Sequence, residues 1–191
     1  MRQQSVHSMA DRGDDAYFSP PEAVSALLAI EAAHMPASVW EPAAGAGAIV
    51  KPLRQSGRTV IASDIRDYGL EACEAPINYL EAAPRAIEGI VTNPPYRLAA
   101  EFVEKATEEA PYVAMLLRTN FLESTRRKSL FERKPPARVW VASRRLPMMH
   151  RLGWAGPQAP SNTCFAWFVW DARSGEQAHL RWFDWKEHVH A

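Results

Sequence analysis

The chain has 191 residues, 47% of them hydrophobic, and a formal net charge of zero. That length and composition suit one globular domain with a substantial core, or one domain with a small appendage. Cys73 and Cys164 lie far apart without CxxC spacing and the six histidines form no HExxH-like cluster, which argues against a disulfide framework and against a metal centre. No apolar run is long enough to span a membrane, and the opening residues lack the basic-then-apolar order of a secretion signal, so a cytoplasmic protein is expected.

The zero net charge conceals a division. Residues 118–151 hold ten basic side chains (Arg118, Arg126, Arg127, Lys128, Arg133, Lys134, Arg138, Arg144, Arg145 and Arg151) against Glu123 and Glu132, a net +8 that leaves −8 for the remainder. Such a split within one small domain hints at an anionic macromolecular partner; the alternative is a solvated helix face and ordinary loops.

In chain order, Met1 to Asp15 are polar and without apolar period, and read as a flexible arm ahead of a single domain over 16–191. Ser19 is positioned as an N-cap, Pro20 and Pro21 suit a first helical turn and Glu22 completes a capping box, so the spacing of Val24, Leu27 and Leu28 predicts a helix from Pro20 to His34. Tyr17 and Phe18 just before it read as a hydrophobic staple unless a site forms nearby.

Ser38-Val39-Trp40-Glu41 reads as a short buried strand. It runs into Pro42-Ala43-Ala44-Gly45-Ala46-Gly47, with a helix carrying Leu53 to about Ser56 behind it. Alternate glycines permit a tight turn and close approach of a ligand. The dinucleotide fingerprint GxGxxG is incomplete, because Val50 holds the third glycine position, and Glu41 would repel a pyrophosphate. A cationic or zwitterionic ligand fits this turn better than NAD.

Thr59 to Ser63 forms the next predicted strand, ending at Asp64-Ile65, where an acid accepts hydrogen bonds from ribose hydroxyls in this architecture. A turn or N-cap aspartate is the plainer explanation. Ile77 to Leu80 is a candidate third strand end or loop. Ala86 to Thr92 is a fourth strand leading into Asn93-Pro94-Pro95-Tyr96. Two prolines end sheet pairing abruptly and leave a stiff shelf that displays one amide, free carbonyls and one aromatic face.

A helix follows from about Arg97 to Ala110, then an apolar fifth strand, Tyr112 to Leu117. Phe121 to Phe131 is predicted helical and carries Arg126, Arg127 and Lys128. Arg138 to Ala142 is a sixth strand. Leu146 to Ser161 is rich in Pro and Gly and reads as an irregular, substrate-facing loop within about 144–162. Thr163 to Trp170 is a seventh strand, and Leu180 to Phe183 is a candidate edge pairing.

Glu41 with Gly45 and Gly47, then Asp64, then Asn93 to Tyr96 stand at successive strand ends. In that order the chain resembles the class I S-adenosylmethionine-dependent methyltransferases, and more closely those acting on adenine N6, whose signature is (Asp/Asn/Ser)-Pro-Pro-(Tyr/Phe/Trp). The resemblance runs from about Tyr17 to Trp170 in the gamma-type order, and is nearest to small phage and prophage enzymes. Their tail elements correspond here to Arg144-Arg145-Leu146-Pro147, Gly153 to Gly156 and Trp167 to Trp170.

The resemblance implies a single-domain, Rossmann-like α/β fold with a seven-stranded mixed sheet and helices on both faces. It implies S-adenosylmethionine as cofactor, held by Tyr17, Ser19, Glu41, Pro42, Ala43, Gly45, Gly47, Asp64, Ile65, Asn78, Tyr79 and Asn93. Asn78 stands where the family has an acid that contacts the cofactor's adenine amine. It further implies catalysis by Asn93, Pro94, Pro95 and Tyr96 on the N6 amine of adenine in DNA.

Nucleic acid would then be held by Arg118, Arg126, Arg127, Lys128, Arg144, Arg145, His150 and Arg151. No metal, no membrane and a monomer or weak dimer are expected. Acceptors that pose the same lone-pair problem are adenine N6 or guanine N2 in RNA, and a protein glutamine side chain. A nucleic-acid-binding module with a decayed cofactor pocket is the alternative outside enzymes. With no separate recognition domain, short or relaxed sequence specificity is expected.

Overall fold

The computed structural model describes residues 19–148, 163–175 and 178–188. Its elements are α1 (Pro21–Ile30), β1 (Ser38–Glu41), α2 (Val50–Gln55), β2 (Thr59–Ser63), β3 (Cys73–Glu74), β4 (Gly89–Thr92), α3 (Ala99–Glu109), β5 (Tyr112–Arg118), α4 (Lys128–Arg133), β6 (Arg138–Ala142), β7 (Phe165–Asp171) and β8 (His179–Phe183). Short 3₁₀ turns occupy Tyr96–Leu98, Thr119–Leu122, Thr125–Arg127 and Trp185–His188.

The strands form one mixed sheet in the order β3-β2-β1-β4-β5-β7-β6-β8. The first five neighbours run parallel. β7 lies antiparallel between β5 and β6, and β8 returns parallel to β6 at the far edge. The carboxyl ends of β1, β2, β4, β5, β6 and β8 therefore share one edge of the sheet.

Every residue from Tyr112 to Leu117 is buried, because side chains alternate between two faces that are both covered. Tyr112, Ala114 and Leu116 join one apolar cluster with Val24 and Leu27 of α1 and Leu53 of α2. Val113, Met115 and Leu117 join a second with Phe102, Val103 and Ala106 of α3 and Leu130 of α4. Burying each large side chain contributes about 1.5–3 kcal/mol before entropy is counted. Trp167 adds direction: its indole N–H donates to the Ala23 carbonyl at 2.9 Å and ties α1 to β7.

Several sequence expectations need correction. Among the described residues the sheet has eight strands rather than seven. The third strand is Cys73–Glu74, paired with Ala62 and Ser63, and of the two readings of Ile77 to Leu80, strand end or loop, the loop holds. The edge pairing expected of the Leu180 segment is present, and it runs along the whole of β6. Ser19 does not cap α1; Pro20 holds the N-cap position with no side-chain bond, and Ser19 is buried. α1 stops at Ile30 instead of reaching His34, because Glu31 turns into a buried ionic cluster with Arg138.

The helix expected over Phe121 to Phe131 is broken. The Ser124 hydroxyl accepts from Arg126 N–H, and the Arg127 guanidinium donates to the carbonyls of Asn120, Phe121 and Glu123, so these groups are satisfied by turns.

Candidate active site

A cavity of about 420 Å³ opens at the carboxyl edge of the sheet. Its floor begins at the end of β1. Glu41 is fully buried there, and its Oε1 accepts from Ala43 N–H at 2.9 Å. Its Oε2 meets no hydrogen-bond donor with good geometry among the described residues, although the Thr92 hydroxyl lies close enough to favour the charged form. Burial pushes the Glu41 carboxyl from 4.5 up to about 8, and the like charge of Asp64 adds to the rise; Thr92 and Ala43 N–H oppose it.

The glycine turn after β1 adopts the left-handed backbone that only glycine takes without strain, with φ of 50° at Gly45 and 87° at Gly47. A Cβ on Gly47 would also stand 2.6 Å from a Leu70 methyl, so this glycine packs under the turn rather than lining the cavity. Gly45 N–H donates to Asp64 Oδ2 at 2.8 Å, while Asp64 Oδ1 accepts from Arg66 N–H at 2.9 Å. The Asp64 carboxylate thus joins the ends of β1 and β2. Each of its oxygens retains a lone pair for a hydroxyl from the cavity.

Of the residues expected to hold a cofactor, Ser19, Glu41, Pro42, Ala43, Gly45, Asp64, Ile65, Asn78, Tyr79 and Asn93 all line this one chamber. Asn78 Oδ1 accepts from Leu80 N–H at 3.2 Å and closes its own turn. Tyr79 packs perpendicular to Trp40, ring centroids 5.1 Å apart, and donates its hydroxyl to Glu109 Oε2 at 3.1 Å. Burial, then the Glu109 charge, raises that phenol. Tyr79 therefore contributes a wall held from behind. Tyr17, His150 and Arg151, with most of the loop about 144–162, lie outside the described residues.

The Asn-Pro-Pro-Tyr shelf divides between the cavity and the core. Asn93 and Pro95 line the cavity, while Pro94 is buried beneath them. Pro95 C=O accepts from Leu98 N–H at 2.9 Å and starts the 3₁₀ turn. Tyr96 turns toward the apolar clusters, its ring 5.9 Å from that of Phe165 and covered by the Arg118 guanidinium at 4.6 Å.

The cavity also gathers residues that local pattern did not single out: Ala44, Ala48, Ile49, Arg66, Tyr68, Ile77, Arg97, Leu98 and Phe102. Leu98 and Phe102 stand one helical turn apart directly after the shelf, a readable signal for a continuing wall. Arg66 and Tyr68 sit in a stretch without period. A second, more open concavity of about 450 Å³ lies over 76–85 and shares Ile77 and Asn78 with the first. It lacks the strand-end carboxylates and the shelf, so the site is assigned to the chamber that has them.

Most of the basic segment is engaged internally. Arg138 is buried between Glu31 and Asp171. Arg144 pairs with Asp184, Lys128 with Glu132, Arg133 with Glu104 and Lys134 with Glu108. Arg127 is bound to three carbonyls, and Arg145 Nη1 lies 2.9 Å from Cys164 Sγ. Arg126 is exposed on the turn before α4. Among the described residues there is no group of three or more His, Cys, Asp and Glu that could hold a metal ion, and no helix is long and apolar enough to cross a membrane.

The chamber combines two buried acids, a glycine turn and an amide shelf, which suits a ligand that is positively charged at one point and carries hydroxyls at another. No family model matches the chain, and no curated protein matches it. Solved structures do share the fold. A candidate RNA methyltransferase of Pyrococcus horikoshii superposes with a TM-score of 0.64 at 14% identity, covering 83% of this chain and 88% of that one. The methyltransferase subunit of a type I restriction-modification system from Streptococcus thermophilus gives 0.56 at 12% identity, over 82% of this chain and 45% of the subunit.

A dimethyladenosine transferase of Plasmodium falciparum gives 0.57 at 13% identity, over 81% of this chain and 62% of that one. This chain is an α/β protein with the mixed-sheet fold of those methyltransferases. It spans under half of the restriction-modification subunit and about three fifths of the dimethyladenosine transferase.

Proposed function

We propose that the chain is an S-adenosylmethionine-dependent N-methyltransferase that methylates the exocyclic N6 amine of adenine in DNA. The observation that carries this reading is the convergence of Glu41, Gly45, Asp64, Asn78 and Asn93 on one cavity from the ends of β1, β2 and β4 and the turn after β3. The residues present fit the cofactor. Glu41 is a buried carboxylate whose Oε2 accepts no hydrogen bond of good geometry from the described residues, and Asp64 keeps lone pairs for ribose hydroxyls. Once bound, the cofactor supplies an electrophilic methyl group on a sulfonium.

The chain's own residues supply orientation. An exocyclic amine has its lone pair spread into the ring. If Asn93 Oδ1 and the Pro94 carbonyl accept its two N–H bonds, the nitrogen moves toward tetrahedral geometry and its lone pair becomes available. The nitrogen would then form the new C–N bond as the methyl group's bond to sulfur breaks, its electron pair staying on the sulfur of the departing thioether, and a proton would leave the nitrogen to water. This is catalysis by position and electrostatics without a strong general base. Pro94 and Pro95 hold the shelf rigid, and Tyr96 stacks on the planar acceptor. A base in a duplex must first leave the stack, at a cost of about a few kcal/mol.

Arg126, Arg127, Lys128, Arg144 and Arg145 are the phosphate contacts in this reading, with His150 and Arg151; Arg118, expected among them, lies over the Tyr96 ring and is not counted as one. Those already paired internally contribute by exchanging partners. RNA is the second reading, favoured by the name of the Pyrococcus protein.

Calorimetry with S-adenosylmethionine tests the pocket, and failure to bind overturns the enzyme reading. Transfer of a labelled methyl group to DNA, RNA and protein, with Asn93→Ala as control, separates the acceptors. DNA is the expected acceptor, and transfer to RNA or protein alone rejects it.

A further inference from the structure

We propose that Arg118 is a positioning residue that holds the acceptor's seat: its guanidinium covers the face of Tyr96 on which the planar base stacks, and it leaves when the base enters. The inference rests on the methyl transfer to nucleic acid proposed above. Arg118 is the last residue of β5, and β4 runs parallel beside it with Thr92 opposite Met115. Arg118 therefore stands at the same sheet edge as the Asn93 to Tyr96 shelf. Its guanidinium carbon lies 4.6 Å from the centroid of the Tyr96 ring.

That distance decides the matter. A planar base between the two groups needs ordinary contact on each of its faces, about 3.5–4.0 Å twice, or roughly 7 Å in all. The present gap cannot admit it, so one partner must move. Tyr96 is the anchored one. Its ring packs against Phe165, which is buried and which faces Arg118 across the β5–β7 pairing. Arg118 is half-buried and sits on a long side chain with many rotamers.

A guanidinium is flat, delocalised and well suited to an aromatic face, so it imitates the shape of the base it gives way to. Acceptor entry thus exchanges one stacked plane for another. The exchange keeps the Tyr96 face covered at every stage and sets a threshold that only a stacking acceptor overcomes.

The test uses the strand on which the transfer assay detects methylation, and an identical strand with an abasic residue at the target adenine. Affinities for both are measured with S-adenosylhomocysteine present, so that no turnover occurs. Arg118→Ala should bind the adenine strand about three- to tenfold tighter than wild type while binding the abasic strand unchanged, because only the base competes with the guanidinium. KM for the acceptor should fall in parallel, with kcat within about twofold.

Arg118→Lys keeps the charge and loses the plane, so it should behave like Arg118→Ala toward the adenine strand. Equal effects on the two strands, weaker binding of both, or wild-type discrimination restored by Lys each overturn the placeholder role. A wild-type chain that methylates no nucleic acid overturns the proposed function itself, a result distinct from any of these.

Discussion

Glu31 and Glu41 are the same residue type and equally buried, each with 0% exposure, yet they serve opposite ends of the molecule. Glu31 lies just past α1, near the amino ends of β5 and β6. It accepts from Arg138 Nε at 2.8 Å, Arg138 Nη2 at 2.9 Å, Trp140 Nε1 at 2.7 Å and, more weakly, Tyr112 Oη at 3.3 Å. Glu41, at the carboxyl end of β1, accepts one bond from Ala43 N–H, and burial holds its carboxyl near 8.

The same desolvation acts on both carboxylates. At Glu31 the chain supplies a cation and further donors. At Glu41 it leaves much of that role open, which is the condition for a ligand to supply it. A saturated buried carboxylate holds the fold together, and an under-supplied one beside a cavity marks a site.

The contrast is broken most severely at the saturated end. Arg138→Ala should cost about 3–5 kcal/mol in urea unfolding, because it leaves Glu31 and Asp171 buried without their shared cation. A loss below about 1 kcal/mol would mean that this cluster is not what secures α1 to the sheet. At the other end, Asn93→Ala should lower kcat by about 10²–10³-fold with the cofactor's Kd changed little, as expected for a group that acts on the acceptor in the transition state. A parallel loss of cofactor binding would instead make Asn93 a binding residue.

Glu41 sharpens the contrast through pH. Its folded pKa is raised, so the stability it contributes is complete below about 4.5 and is lost as pH rises through about 8. Glu41→Gln should therefore gain thermal stability relative to wild type, on the order of a few kcal/mol, as pH rises across that window without ligand. Cofactor binding should run the other way. If it needs the ionised carboxylate, affinity rises up to about tenfold per pH unit below 8 and levels above it, and Glu41→Gln abolishes this slope. A flat profile in wild type would separate Glu41 from the ligand's charge. The smallest effect belongs to the solvated pair Arg133–Glu104, where Arg133→Ala should cost less than about 1 kcal/mol.

Legibility in the sequence follows the range of the interaction involved. Gly45 and Gly47 are readable because a left-handed turn at a strand end is a local demand that only glycine meets easily. Asn93-Pro94-Pro95 is readable because two prolines end a strand wherever they fall. β3 escapes notice because two residues carry no period, and its pairing with Ala62 and Ser63 is made by the neighbouring strand. The fate of the basic segment escapes for the same reason. Arg138 counts as one more cation until its partner, Glu31, arrives from 107 residues away. The bond from the Tyr79 hydroxyl to Glu109 is hidden likewise, because the two residues lie 30 apart in the chain.

By itself the sequence determined the alternation of strands and helices and the order of Glu41, Asp64 and Asn93 at three strand ends, since hydrophobic period and turn chemistry act over a few residues. Only the tertiary structure decided that these ends share one cavity, that one buried glutamate is satisfied while another is not, and that Arg118 lies over Tyr96. Those outcomes depend on which strands become neighbours in the sheet, and strand order is set by packing across the whole core.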